Sequence, residues 1–470
     1  APHALELDEA EQLTLTQRWS WGYNSQPPLY TWLQIPFFSL FGPSVFALSL
    51  LKNILLFFCY FFTFLAARQL TRNHFLALAA AVSVLFFPEI AWQSQIDRTH
   101  SILAILLASA TLCVFLRIPS RRTLVNYVLL GLCAGLALIA KYNVIFFLAG
   151  LPLAALTVRE YRPVILNPRI LASLALMLAI FLPNGIWMLH HPDLALMTSS
   201  KFHISSGGHT INFTGLAKVA LAAAVTLGPL LLVHAAVFLR KNTITPLKNL
   251  PPSFHLLWRA ALLILAAICI AVLVSGTTSV RERWLQPLLG FAPVLSLLYF
   301  QNALTPHRFR QILAAGVVVM LAILLFFPAR LVFADALKMP QRLNLPADTL
   351  APQIDKSLVG IPVVITDTWL TSGNLRLNLP GERMYVSPEF TTLLAPDAPR
   401  VGIVWDATTK DAPPKLLADY LQSAGIDLSS APPQFFSAPC RYSKTKVQRL
   451  AVVVLDKARR GWPTSAIPAQ

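Results

Sequence analysis

An adjacent pair of carboxylates, Asp8-Glu9, heads a chain that is otherwise strongly apolar. A polar-aromatic segment, Trp19 to Tyr23, and a Gln26-Pro27-Pro28-Leu29-Tyr30 corner follow it within the stretch Leu7 to Leu33. Adjacent residues on a helix diverge by about 100°, so the two carboxylates cannot face one substrate atom equally. One would act on a substrate while the other holds a neighbouring loop or caps a helix N-terminus. Toward a hydroxyl acceptor the acting carboxylate would be a general base. Toward an anionic phosphate acceptor no base is needed, and it would orient the acceptor or bind a metal. Taken alone, the dipeptide reads better as a cap or a solvated loop pair. The prolines fix two φ angles at the corner. Trp19, Trp21, Tyr23, Tyr30 and Trp32 suit the headgroup level of a membrane, and most of these rings read as anchors.

Four further groups could carry chemistry. Asp97-Arg98 lies in QSQIDRTHS, where a carboxylate at a membrane boundary is costly unless paired or used. Its bland reading is a pair with Arg98 or a helix cap. Lys141, in ALIAKYNVIFF, offers an ammonium to a phosphate or a sugar, or simply snorkels to the interface. Arg281-Glu282-Arg283-Trp284, with Pro287, opens an apolar run and reads as an anion site or a headgroup anchor. The loop 188–214 holds His190, His191, Asp193, Lys201, His203 and His209, with Gly207-Gly208. Its histidine spacing matches no metal-ligand pattern, so it reads as a flexible loop over the acceptor path. A divalent metal is the one cofactor left open. Glycine-rich phosphate loops are absent, which disfavours a nucleotide cofactor.

The elements that must position these groups are membrane spans. The 470 residues are 56% hydrophobic and 13% charged, far below the quarter charged of a soluble domain. The net charge of +17 comes mostly from short basic clusters between apolar runs, as in cytoplasmic loops, so nucleic acid is not expected as a partner. Candidate spans are 44–66, 74–93, 99–117, 123–140, 143–158, 168–188, 215–239, 254–275, 284–300 and 311–329. The connecting segments alternate. One set is basic: Arg68/Arg72, Arg117/Arg121/Arg122, Arg159/Arg162/Arg169, Arg240/Lys241/Lys248 and His307/Arg308/Arg310. The other holds Asp97-Arg98, Lys141, the His190 loop and Arg281 to Arg283. The positive-inside rule puts the first set in the cytoplasm and the second, with Asp8-Glu9, outside. Ten spans being even, the tail after 330 is expected outside too.

That tail, 330–470, is rich in Pro, Asp and Thr. Pro362 to Thr366, Arg383 to Val386, Val401 to Trp405 and Leu450 to Leu455 read as buried strands, and Pro414 to Ser423 as an amphipathic helix. The fold expected is therefore a polytopic α-helical membrane domain, 1–329, with a first extracytoplasmic loop at 1–43. A small soluble α/β domain, 330–470, follows it. Cys59, Cys113, Cys133 and Cys269 fall inside apolar runs and Cys440 in the tail, with no disulfide spacing.

The order of these elements resembles the GT-C superfamily of membrane glycosyltransferases, of the protein O-mannosyltransferase and lipid A aminoarabinose transferase type (glycosyltransferase family 39-like). Those enzymes carry an Asp-Glu pair in the first extracytoplasmic loop and a Pro-Pro-Leu corner some fifteen to twenty residues later. The resemblance implies transfer of a sugar from a polyprenyl-phosphate donor, by inverting displacement, to an envelope lipid, glycan or protein such as lipopolysaccharide. It places the enzyme in the inner (plasma) membrane with its active site on the extracytoplasmic side. It implies Asp8 as the catalytic carboxylate, with Glu9 and Asp97 beside it. Arg283, then Arg281, and Lys141 would meet the donor phosphate, and Gln26, Tyr30, His190 and His191 the substrate path. Asn184-Gly185-x-Trp187 and Arg283-Trp284-x-x-Pro287 match further family patterns. One departure is Gln26, where aminoarabinose-transferase-like enzymes carry a lysine, which moves the phosphate contact elsewhere. Relatives also have a span ahead of the acidic loop, so one more is expected before residue 1. A lipid-linked glycan flippase or transporter and an oligosaccharide ligase are the alternatives. A transporter should carry ionisable groups mid-span. Here they gather at one face, apart from Lys52 near a span end.

Overall fold

The computed structural model describes residues 3–195, 213–239, 250–339, 341–379, 381–389, 398–428 and 431–456. They form two compact units. The helical unit comprises Asn24–Tyr30 and Lys52–Ile323, and the sheet unit comprises Ala1–Tyr23, Thr31–Leu51 and Leu324–Gln470. In chain order the tail part of the sheet unit begins at Leu324, and the unit also takes in Ala1–Tyr23 and Thr31–Leu51. The N-terminal segments group with the C-terminal sheet, through bonds such as Leu5 N–H to Asn374 Oδ1 at 3.0 Å. Composition along the chain carries no trace of a contact between residues so far apart in sequence.

In chain order the helices are α1 (Leu7–Leu15), α2 (Leu29–Phe41), α3 (Val45–Thr71), α4 (His74–Ser83), α5 (Thr99–Arg117), α6 (Leu124–Leu138), α7 (Ile145–Thr157) and α8 (Ile170–His190). They continue with α9 (Phe213–Phe238), α10 (Pro252–Ser275), α11 (Glu282–Leu289), α12 (Ala292–Tyr299) and α13 (Pro306–Val332). Three more, α14 (Ala347–Asp355), α15 (Trp369–Asn378) and α16 (Lys415–Ser423), follow in the tail.

Six of these, α3, α5, α8, α9, α10 and α13, have 19–27 residues and a strongly apolar window. At 1.5 Å per residue that suffices for a hydrocarbon core of about 30 Å. They coincide with six of the ten expected spans. The other four are helical but modified. The interval 74–93 bends by 71° between His74–Phe86 and Glu89–Ile96. Phe87 is extended there (φ −82°, ψ 121°), as a residue before proline must be. The interval 284–300 divides into α11 and α12, and α6 and α7 are short apolar helices.

Within the helical unit α5 is the centre, with 94% of its apolar window buried. Close packing is clearest between α6 and α8. Gly131 and Gly135 lie four residues apart on one face of α6. A Cβ added at Gly131 would stand 2.5 Å from the Ser173 carbonyl oxygen, and one at Gly135 2.9 Å from Ile180 Cδ1. This is the small-residue spacing that lets membrane helices approach where no hydrophobic effect drives them together.

The sheet unit is built on five strands in the order β2-β1-β3-β5-β4. They are β1 (Val363–Thr366), β2 (Met384–Val386), β3 (Arg400–Asp406), β4 (Gln434–Pro439) and β5 (Val447–Asp456). β1 runs parallel to β2 and β3, and β5 antiparallel to β3 and β4. Helices cover both faces, which is why β1 reads as an unbroken apolar run. Val363, Ile365, Val401 and Ile403 enter one core with Leu417 and Leu421 of α16. Val364, Val404 and Val452 enter the other with Leu350, Ile354 and Leu375 of α14 and α15. The expected strands and helix are all present. The strand that sequence reading missed, β4, is an edge strand with mostly exposed residues, so it has no buried pattern to read.

α1 crosses α15 at very short range. A Cβ on Gly373 would lie 2.5 Å from Ala10 Cα, so only glycine fits. Leu5, Ala10, Leu13, Phe38, Ala47 and Leu48 form the core around the crossing. One turn on, Gln17 Nε2 donates to the Tyr385 carbonyl and Gln17 Oε1 accepts from the Tyr385 N–H, each at 2.8 Å. The side chain thereby occupies the open edge of β2, which would otherwise expose unpaired main-chain groups.

Gly373→Val forces α1 away from α15 and is expected to cost about 1–3 kcal/mol, read as a lower Tm of the purified protein. Asp367, buried at the end of β1, accepts the Asp406 N–H at 3.0 Å. Burial raises its carboxyl pKa above the usual 3.8 despite bonds from Thr371 and Asp406. The folded state thus holds this proton to higher pH than the unfolded chain. Its contribution is most favourable below about pH 4 and is lost as pH rises through the raised value. Asp367→Asn should remove that fall from the pH dependence of Tm; an unchanged profile would contradict the assignment.

Candidate active site

In the sheet unit Asp8 and Glu9 occupy the first turn of α1, where the helix dipole favours carboxylates. Glu6 is the N-cap. Its side chain accepts from the Glu9 main chain, while Glu9 Oε2 reaches back toward the Glu6 N–H at 3.5 Å. This reciprocal capping box uses Glu9 and leaves Asp8 outside it. Both residues are half-buried. Glu6 itself is buried and paired with Arg342 at 3.4 Å and Arg330 at 3.8 Å. Burial raises its carboxyl pKa in spite of the two arginines. The start of α1 is therefore held by cations contributed from beyond residue 324.

In the helical unit a second group assembles at helix ends. Lys141 follows α6, and its Nζ donates to Ser101 Oγ at 2.8 Å and to the Arg283 carbonyl at 3.0 Å. Asn143 Nδ2 donates to the Trp284 carbonyl at 2.7 Å. Two side chains from one loop thus fix the turn that opens α11, with the Lys141 ammonium on the Arg283 main-chain carbonyl. Arg283 is half-buried, and Arg281 is exposed at the cap of the same helix.

The same unit holds an ion pair that sequence reading did not single out. Arg98 Nε binds Glu89 Oε2 at 3.0 Å, with Glu89 only 3% exposed. Glu89 also lies within electrostatic range of Lys141 and Glu282. Among the described residues Glu89 Oε1 has no hydrogen-bond partner. Glu89 stands on a single π-helical turn, Glu89–Gln93, and Arg98 sits at φ 101°, ψ 68°. A non-glycine residue there is strained, and π-turns and strain of this kind gather at functional sites. Asp97, half-buried, ends the segment and donates its N–H to the Gln93 carbonyl at 2.9 Å. The signal was present in the sequence as Phe87-Pro88-Glu89, an acid behind a proline inside an expected span.

The remaining candidates divide. Tyr30 is buried with its ring 5.5 Å from that of His100, two residues from Arg98. Gln26 N–H donates to Asn24 Oδ1 at 2.7 Å, which shapes the corner rather than a charge site. His190 and His191 contact the carbonyls of Ile186 and Trp187 in their own helix, at 2.9 and 3.1 Å. His191 also stacks on Trp187. Lys201, His203, Gly207-Gly208 and His209 lie outside the described residues. Among those described, no three His, Cys, Asp or Glu side chains converge to hold a metal ion.

Residues 25–187 match the family described as dolichyl-phosphate-mannose-protein mannosyltransferase. The chain is 33% identical to the lipopolysaccharide core galacturonosyltransferase RgtA of Rhizobium johnstonii, over 91% of its own length and 88% of RgtA. It is 29% identical to the lipopolysaccharide core galacturonosyltransferase RgtB of the same organism, over 94% and 90%. The fold is similar to the crystal structure of ArnT from Cupriavidus metallidurans bound to undecaprenyl phosphate. The TM-score is 0.55 at 15% identity, covering 96% of this chain and 94% of that one. Its identity with RgtA over nearly the full length of both proteins, on a fold shared with ArnT, establishes that the chain belongs to the GT-C superfamily of membrane glycosyltransferases, in the same family as RgtA.

Proposed function

We propose that this glycosyltransferase moves a sugar from a polyprenyl-phosphate donor to a lipopolysaccharide core or lipid A acceptor, on the extracytoplasmic face of the inner membrane. The observation that carries the donor is the Lys141 ammonium held on the Arg283 carbonyl, at the turn that also bears the Arg283 side chain. Two cationic residues tied to one turn suit a phosphate monoester or diester, whose oxygens take several charge-assisted hydrogen bonds. The acceptor class rests on RgtA and RgtB, which are named for the lipopolysaccharide core. Their names also favour a galacturonosyl unit as the sugar transferred.

The reaction needs two functions. An acceptor hydroxyl must lose its proton as its oxygen attacks the anomeric carbon. Asp8, the carboxylate that the family pattern implies, takes that proton. The bond from the anomeric carbon to the phosphate oxygen breaks, and the electron pair leaves on the polyprenyl phosphate. Arg283 and Lys141 stabilise that developing charge. A single in-line displacement inverts the anomeric centre. The Glu89–Arg98 pair supports the cationic cluster: it holds Arg98 in place and reduces the mutual repulsion of the cations.

The test is transfer by purified full-length protein from a panel of labelled polyprenyl-phosphate sugars to lipopolysaccharide core. Uronosyl transfer is expected. Asp8→Asn should lower kcat by about 10²–10⁴-fold with little change in donor KM. Arg283→Ala and Lys141→Met should raise donor KM by about tenfold or more. A folded Asp8→Asn enzyme at the wild-type rate would remove Asp8 from the chemical step. Movement of lipid-linked sugar across vesicles without transfer would replace the enzyme reading by a flippase.

A further inference from the structure

The sheet unit contains a cavity of about 470 Å³ that the proposed reaction does not use. It is lined by Gln17, by Gly42-Pro43 between α2 and α3, and by Arg376, Glu382 and Arg383 around the start of β2. The size is that of a site for a sugar or a small ligand.

Its charge is unbalanced. Arg376 is set on α15 so that Nη1 donates to the Leu13 carbonyl and to Thr16 Oγ1, the latter at 3.0 Å. Both acceptors are uncharged, and among the described residues no carboxylate pairs with this guanidinium. The ring of Phe38 lies 5.9 Å from its central carbon. Burial pulls the Arg376 pKa down to about 10, the mark of a cation that lacks a counter-ion. Arg383, the second cation, is matched by Asp355 at 2.7 Å. Glu382 is exposed at the rim, where solvent screens it. A partly desolvated guanidinium on a cavity wall is stabilised when an anion enters.

We propose that this cavity binds the anionic group of an acidic sugar, a phosphate monoester or a carboxylate, through Arg376. It is an accessory site for the acceptor glycan, remote in sequence from Lys141 and Arg283. The acceptor role rests on the reading given above, while the anion site itself stands without it. Arg376 also caps the last turn of α1, so an occupied cavity bears directly on the helix that carries Asp8.

The experiment is saturation-transfer NMR on the purified full-length protein in detergent, with glucose 6-phosphate, galacturonate and galactose as probes. One or both anions should bind, and galactose should not. The arm that binds more tightly identifies phosphate or carboxylate as the group recognised. Arg376→Gln should weaken anion binding by about tenfold or more, and Arg376→Lys should restore part of it. Because Arg376 also holds α1, Glu382→Gln and Glu382→Lys provide variants at an exposed position. They should tighten binding in that order. Galactose binding as well as the anions, or anion affinity indifferent to Arg376 and Glu382, would overturn the site. The same proteins in the transfer assay separate the two claims. Anion binding without sugar transfer would sink the proposed reaction and keep the cavity. Transfer without anion binding would do the reverse.

Discussion

The contact of Ala10 with Gly373 is the constraint on which the sheet unit depends. No side chain fits between α1 and α15 at this crossing, so the backbones meet directly. The bonds that hold α1, the helix that carries Asp8, are arranged around that meeting. Asn374 holds the Leu5 N–H ahead of the helix, Arg330 and Arg342 hold its cap, and Arg376 and Gln17 fix its far end to α15 and β2. A short helix of nine residues has little stability of its own, and tertiary packing supplies the rest. The C-terminal sheet is thus the scaffold of the acidic segment, rather than an appendage to the spans.

The helical unit solves a different problem. Charged residues beside a bilayer are costly unless each is matched, and here they are matched to one another and to main-chain carbonyls. Glu89 offsets Arg98, and Lys141 is committed to Ser101 and the Arg283 carbonyl. The price is local strain, carried by the π-turn at Glu89 and by the left-handed Arg98. In the proposed reaction, cations held in this way would stabilise the leaving phosphate with little reorganisation.

Much of this was legible in the sequence. Length and apolar character gave the spans, and clean apolar runs gave β1, β2, β3 and β5. Lys141 and Arg283 were picked out by their match to the family pattern, while the residues alone read equally as interface anchors. Other features were hidden for physical reasons. Glu89 lay inside an interval read as one straight span, because a window average conceals a bend at Pro88. The edge strand β4 buries too little to show a pattern. The tie between residues 5–17 and 369–385 is purely tertiary. Arg376 was not singled out, since a missing counter-ion becomes visible only once its neighbours are placed. The Asp8-Glu9 pair was legible as an alternative between cap and reactive group, and the capping box assigns Glu9 to the first of these.

The central claim is direct displacement of a sugar from a phosphate held by the Lys141–Arg283 group. The measurement that tests it most directly is ³¹P NMR of the purified protein turning over a polyprenyl-phosphate sugar with lipopolysaccharide core, with the new glycosidic linkage read by ¹H NMR. The account predicts one polyprenyl phosphate monoester released for each sugar transferred, and an anomeric configuration opposite to that of the donor. A retained configuration, or sugar transferred without release of the phosphate monoester, would contradict it.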